Sequence, residues 1–368
     1  MIHFSSIDLR IMLCFIFAAG ITFFLIPSIV EIARKKSLVA EPDKRTSHTK
    51  SIPNLGGIAI FIGFIISYLL FSKISYFPSF QYILAGGFIL FFIGFKDDLT
   101  HISPYKKFLG QLIAAWIIVS LGDIRITNLY GFFGISQVNE SFSYLITLTA
   151  IVGITNCFNL IDGIDGLSAG LGVLALFVFG TWFYLVGDYY WVLLAAALIG
   201  SLLSFLIFNV FGKANKIFMG DTGSLTLGFI VSLIAIHFNE MNINSAIPYH
   251  IQSAPTVSIA ILMIPIFDTL RVILYRLVRH RSPFEADKTH IHHYLLNMGF
   301  SHLQSTIILL GISLFFILIA FLIKDLSVLR GLIILFALGV VKTYVAVYLA
   351  DKKLKKNVTR DTDKQSKA

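Results

Sequence analysis

The chain has 368 residues and a formal net charge of +9; 57% of its residues are hydrophobic and only 13% are charged, with a mean hydropathy of +0.83. Soluble domains carry about 25% charged residues, so the composition argues against a water-soluble globular protein and excludes a disordered chain and a collagen-like one. At ~20 apolar residues per membrane span, the length holds roughly ten to twelve helices with short loops, and the unbroken apolar runs do not alternate as the strands of a β-barrel do.

Eleven apolar runs follow in chain order, at 9–30, 55–72, 81–95, 108–121, 143–160, 166–186, 190–210, 223–238, 256–277, 303–323 and 328–349. The first is long for a signal-peptide core, and Asp8 offsets Arg10 ahead of it, so it reads as a retained helix. The third, fourth and eighth runs are short and are expected to extend into their flanks. There is no internal repeat. Cys14 and Cys157 both lie in apolar segments, which leaves no disulfide or zinc framework. Of the Lys and Arg residues outside the spans, 22 fall in alternate loops and the tail and 5 on the opposite side. The positive-inside rule then places the N-terminus outside and the C-terminus in the cytoplasm. Topology thereby accounts for the basic excess without nucleic acid. The expected fold is all-α: a polytopic integral membrane protein of about 11 transmembrane helices. Residues 1–350 form one membrane-embedded domain, and 351–368 a basic cytoplasmic tail expected to be disordered.

Four segments on the cytoplasmic side carry unusual chemistry, each with a plain alternative. Gly94-Phe95-Lys96-Asp97-Asp98 closes the third run. It is either a solvated helix end or a metal or proton-transfer site, because two adjacent anions at a helix C-terminus oppose the dipole. Asn156-Cys157-Phe158-Asn159-Leu160-Ile161-Asp162-Gly163-Ile164-Asp165-Gly166-Leu167 joins the fifth and sixth runs. It is a turn or a binding loop; the three-residue spacing puts Asn156, Asn159 and Asp162 on one helical face, and a polar stripe at membrane depth turns to a cavity or a partner. Phe218-Met219-Gly220-Asp221-Thr222-Gly223-Ser224 enters the eighth run, with Asp221 or Thr222 as an N-cap, or Asp221 as a Mg²⁺ ligand. His290-Ile291-His292-His293, near Arg279, Arg281 and Lys288, suits an anion such as a phosphate or a sugar, with zinc or a plain interfacial loop as the alternatives.

Oxygen-only carboxylate ligands select Mg²⁺ or Mn²⁺. Together with a basic loop at the membrane surface they suit phosphoryl-type transfer between a nucleotide-linked donor and a lipid acceptor. Composition names neither substrate.

The motifs in order resemble the polyprenyl-phosphate N-acetylhexosamine-1-phosphate transferase family (WecA/TagO/MraY). The carrying residues are Pro42-Asp43-Lys44-Arg45 with His48, Ile52-Pro53-Asn54-Leu55-Gly56-Gly57, the Asp97-Asp98 segment, the Asn156 to Leu167 segment, Lys216 to Ser224, and Ser282-Pro283-Phe284 through His293. The resemblance implies attack by a polyprenyl (undecaprenyl) phosphate on the β-phosphate of a UDP-N-acetylhexosamine, with UMP leaving. It implies Mg²⁺, with Mn²⁺ as a substitute, at Asp221 and Asp97, and a catalytic role for Asp97 and Asp98. It further implies a nucleoside pocket at Asp162 and Asp165, with Phe218 a candidate for stacking on uracil, and substrate binding at Asn156 and Asn159. Phosphates and sugar would meet Lys50, Lys107, Arg281, His290, His292 and His293. Ile291 interrupts the triple-histidine run of the MraY branch, so the WecA/TagO branch and UDP-GlcNAc are expected. The product would be the first lipid-linked sugar of a surface glycan such as O-antigen or teichoic acid. Asn54 departs from the family, where relatives carry Arg or Thr. The implied setting is the bacterial cytoplasmic (inner) membrane, within the lipid bilayer and with the active site facing the cytoplasm; a homodimer is compatible with it, and no nucleic acid is involved. The competing readings are the same chemistry with another sugar, a secondary transporter, which calls for acids at mid-span, and a non-catalytic relative, which would be expected to lose Asp97, Asp98 or Asp221.

Overall fold

The structure, a computed structural model, describes residues 6–36, 38, 52–73, 77–281, 290–342 and 344. Helices α1 (Ile7–Lys35), α2 (Gly56–Phe71), α3 (Phe80–Thr100) and α4 (Pro104–Leu121) lead to an antiparallel hairpin of β1 (Asn128–Phe132) and β2 (Ile135–Gln137). Then come α5 (Glu140–Ile161), α6 (Leu167–Val186), α7 (Tyr189–Phe211), α8 (Gly220–Met241), α9 (Ala254–Ile261), α10 (Met263–Val278), a short α11 (Ile291–Asn297), α12 (His302–Leu322) and α13 (328–342).

Among the described residues the apolar runs lie on helices, and the short third, fourth and eighth runs extend into their flanks as the sequence suggested. Among the described residues, six helices (α1, α5, α6, α7, α8 and α12) are long and apolar enough to cross a membrane; the bent pair α9–α10 makes a seventh. α2, at 16 residues, is shorter than such a span.

The ninth run is where pattern and structure part. It breaks at Leu262, and its halves meet at 77°. Pro265 explains the break. Its ring has no N–H and collides with the carbonyl four residues back, which belongs to Ile261, the last residue of α9. In the first turn of a new helix the same proline is tolerated. The hairpin is a small departure from an all-α chain. Thr127 ties it to the bundle, donating from its backbone N and its hydroxyl to the Glu240 carboxylate at 2.9 and 2.7 Å.

α8 is the axle of the bundle, packed by α2, α3, α5, α6 and α9. It fills this place because its first turns are small. A Cβ at Gly94 of α3 would lie 2.5 Å from the Thr222 nitrogen, and one at Gly57 of α2 would collide with the Gly223 backbone. Only glycine lets these backbones touch. That contact brings the end of α3 and the start of α2 against the N-terminus of α8. The segment before α8 is pinned as well: Phe218 N donates to Pro53 O (2.8 Å), Gly56 N to Phe218 O (2.9 Å) and Gly57 N to Met219 O (2.8 Å).

Candidate active site

α3 continues to Thr100, so Asp97 and Asp98 lie in its last turn. Their proximity at a helix C-terminus looked unfavourable in one dimension; in three, Asp98 faces the N-terminus of α8. Its Oδ1 accepts from Asp221 N at 2.7 Å. Its Oδ2 accepts from Thr222 N at 3.0 Å and from the Thr222 hydroxyl at 2.5 Å. Neither Asp221 nor Thr222 caps α8 with its own side chain; the cap comes from α3, where an anion meets the positive end of a helix dipole. With Asp98 as cap, Asp221 is left to face the site.

Four helices meet at Asp221. Its Oδ1 accepts from the Asn159 amide of α5 at 2.8 Å, and its Oδ2 accepts from the Lys107 ammonium of α4. Lys107 also donates to Asn159 Oδ1 at 3.1 Å and lies 3.6 Å from Asp97 Oδ2. Asp97 Oδ1 accepts from the Ile102 backbone N at 2.6 Å, which fixes the carboxylate. Asn159 donates to Ser224 Oγ at 2.9 Å, and one helical turn earlier Asn156 exchanges hydrogen bonds with Gln111 of α4 at 2.6 and 3.2 Å. The polar stripe on α5 thus turns to protein, as its spacing suggested.

One ammonium group therefore bridges oxygens of Asp97, Asn159 and Asp221. That is the donor set of a hard divalent cation, with Lys107 standing where positive charge is required. Among the described residues no three His, Cys, Asp or Glu side chains form a metal cage. Mg²⁺ does not require one, since it takes one or two carboxylates and completes its shell with water and substrate phosphates. The residues present fit the ion.

Asp162 caps the C-terminus of α5. Burial, and then repulsion from Asp221, Asp98 and Asp165, holds its carboxyl well above the usual carboxylate range. Asp165 is placed differently. Lys216 donates to its Oδ2 at 2.7 Å and His302 Nδ1 lies 3.3 Å from the same oxygen. Burial raises its pKa, but His302 and Lys216 outweigh it and hold the carboxyl below its ordinary value. Asn209 fastens the same loop, accepting from Gly166 N at 2.7 Å and donating to Ile217 O at 2.9 Å. Asp165 thus latches the 162–166 turn to α12 and to the segment that carries Phe218, which is itself half-buried.

The histidines lie on the same turn. Gly163 sits against His292, and a Cβ there would collide with its Nε2. His292 is 2% exposed; burial, and then the neighbouring His293, pushes its pKa down to about 3, so it is neutral at physiological pH. Its ring lies 4.3 Å from His293 and 5.8 Å from His290, nearly parallel to the latter. His290 Nδ1 bonds Asp268 Oδ2 at 2.9 Å. The structure therefore brings Asp97, Asp98, Lys107, Asn156, Asn159, Asp162 and Asp221 together around the start of α8, with Asp165, His290, His292 and His293 on its border. Arg281 is exposed, and no contact joins it to this cluster among the described residues. Lys50 lies outside the described residues, as do 42–45, His48 and the 282–289 approach to the histidines.

Sequence reasoning passed over Asp268, Gln111, Asn209 and His302, and quoted Ser224 only within its motif. Asp268 carried a usable signal, since an acid inside an apolar run is a functional candidate by default. The polar side chains of Gln111 and Asn209 carried none, because only the helix contacts give them partners.

Residues 80–239 match glycosyl transferase family 4. Over 346 residues the chain is 35% identical to a "Probable undecaprenyl-phosphate N-acetylglucosaminyl 1-phosphate transferase" of Bacillus subtilis (strain 168), covering 92% of each chain. It is 30% identical over 300 residues to the "Undecaprenyl-phosphate alpha-N-acetylglucosaminyl 1-phosphate transferase" of Yersinia pestis, covering 81% of this chain and 79% of that one. It is 31% identical over 307 residues to the "Decaprenyl-phosphate N-acetylglucosaminephosphotransferase" of Mycobacterium leprae (strain TN), covering 77% and 76%. The three names share the sugar; the first two give undecaprenyl phosphate as the lipid and the third decaprenyl phosphate.

Proposed function

The chain belongs to glycosyl transferase family 4, and from that membership we propose that it moves N-acetylglucosamine 1-phosphate from UDP-N-acetylglucosamine to undecaprenyl phosphate. UMP is released, and the product is the first lipid-linked intermediate of a surface polysaccharide. The reaction takes place at the cytoplasmic face of the bacterial inner membrane, with the N-terminus outside and the C-terminus inside, where a soluble nucleotide meets a lipid. The observation that carries this reading is the convergence of Asp97, Asn159 and Asp221 oxygens on one cation at the start of α8.

In the proposed mechanism an oxygen of the polyprenyl phosphate attacks the β-phosphorus of the donor. The bond from that phosphorus to the oxygen bridging it to the α-phosphorus breaks, and UMP leaves with the electron pair. A phosphate monoester is largely ionised near pH 7, so the attack is direct and requires no strong base. Asp221, with Asp97 and Asn159, would hold Mg²⁺ (or Mn²⁺). When bound, the ion neutralises charge on the diphosphate and on the departing phosphate. Lys107, released from the carboxylates, would supply a positive charge to the same phosphates. Asp98 holds α8 and thereby Asp221 in place. The turn held by Asp165, with Phe218 beside it, forms the nucleoside side of the site, and the histidines border the diphosphate and sugar.

The test is transfer of label into lipid by purified protein in detergent with undecaprenyl phosphate and Mg²⁺. UDP-GlcNAc, UDP-GalNAc and UDP-MurNAc-pentapeptide are supplied separately, with Asp221→Ala as control. The expected result is label from UDP-GlcNAc alone, abolished in the variant. Label from another donor would overturn the sugar assignment and keep the chemistry, and label in the variant would overturn the role of Asp221.

A further inference from the structure

Asp268 is a carboxylate in the first half of α10, just beyond the break at Leu262, and it is 3% exposed. An acid at such depth is expensive unless its lone pairs are used. Arg271, one turn along the same helix, bonds Oδ1 at 2.9 Å and would balance the charge alone. Yet two further donors arrive from a different segment. His290 Nδ1 bonds Oδ2 at 2.9 Å, and Ile291 N, the first backbone donor of α11, bonds Oδ1 at 3.0 Å. One carboxylate thus grips the imidazole and the backbone that carries it.

We propose that Asp268 is a positioning residue for transfer: it fixes His290 as the Nδ1–H tautomer and so presents Nε2 to the donor's diphosphate and sugar. The chemistry is that of a buried carboxylate orienting an imidazole through one ring nitrogen and leaving the other to act. His292, parallel to His290 and seated on Gly163, is held in register by the same grip. The bend at Pro265 is what brings Asp268 to His290, so the broken helix serves the site by delivering this carboxylate. The proposal rests on the reading that His290 borders the donor.

Three variants and one spectroscopic measurement test it. Asp268→Asn keeps the shape and its acceptor for Ile291 N, but turns an N–H towards His290 Nδ1, which demands the opposite tautomer. The expected result is a fall in kcat of about 10- to 100-fold, the usual range for an orienting partner, in a protein that still melts cooperatively in detergent. His290→Gln should lose at least as much, and the double variant no more than His290→Gln. Multiplied losses would mean that Asp268 acts independently of His290 and would overturn the proposal. So would a wild-type rate in Asp268→Asn. Should the variants not fold, the wild type alone decides: ¹⁵N spectra of histidine-labelled protein should show a protonated Nδ1 on His290, and a bare Nδ1 overturns the proposal. The spectrum is independent of turnover. If the wild type transfers no sugar from any donor while His290 carries its proton on Nδ1, the functional reading fails and the placement stands.

Discussion

At Lys107 one ammonium meets oxygens from three other helices, and this fixes what its removal should do. If Lys107 holds the place of a divalent ion, the two compete, and a lysine displaced by the ion still repels it at short range. Unit charges ~4 Å apart near a protein surface interact by about 4 kcal/mol, and a third of that is about tenfold in affinity. Lys107→Met should therefore bind Mn²⁺ about tenfold more tightly, read by electron paramagnetic resonance, while transfer falls because the phosphates lose a cation. Unchanged Mn²⁺ affinity would mean that the ion and the ammonium do not share a place. Asp98 illustrates the opposite lesson. Both of its oxygens are occupied by α8, so the structure places it as a cap on α8, although as one of two adjacent acids it looked in sequence like its neighbour.

At the scale of elements, one device recurs. A carboxylate from one helix caps a neighbouring helix across space: Asp98 of α3 caps α8, and Asp268 of α10 caps α11. Each cap locks a motif to its neighbour without a covalent link and uses the attraction of an anion for a helix N-terminus. The first depends on glycine packing, so Gly94→Ala should separate α3 from α8. Inserting that methyl group should cost about 1–3 kcal/mol, read as a lower melting temperature. Displacement of Asp98 and Asp97 by a fraction of an ångström or more should lower transfer by up to about 100-fold. Gly153→Ala in α5 is the matched control, because nothing lies within 4 Å of a Cβ there and alanine favours the helix. Equal behaviour of the two variants would show that the contact has no consequence.

For the whole molecule, the proposed orientation has a direct test. A green fluorescent protein fused after Ala368 should fluoresce, and alkaline phosphatase fused there should be inactive, because the first matures in the cytoplasm and the second outside it. The reverse pattern would put the start of α8 on the side without nucleotide and would defeat the donor assignment. Apolar runs located the helical stretches among the described residues, since burial of apolar side chains in lipid is a property of each segment by itself. The order of the motifs marked Asp97, Asp98, Asn159 and Asp221 as chemical residues for the same reason: residue types and spacings are local. The division of labour among them was decided by tertiary structure. Which aspartate caps and which faces the cation depends on the approach of α3 to α8 at Gly94, a contact between residues more than a hundred positions apart. Asp268 joined the site only because Pro265 breaks a run that reads as one span by length, and the bend then brings this buried acid to His290. Long-range hydrogen bonds of this kind leave no periodic trace in a sequence, because each partner is an ordinary polar residue until the fold supplies the other.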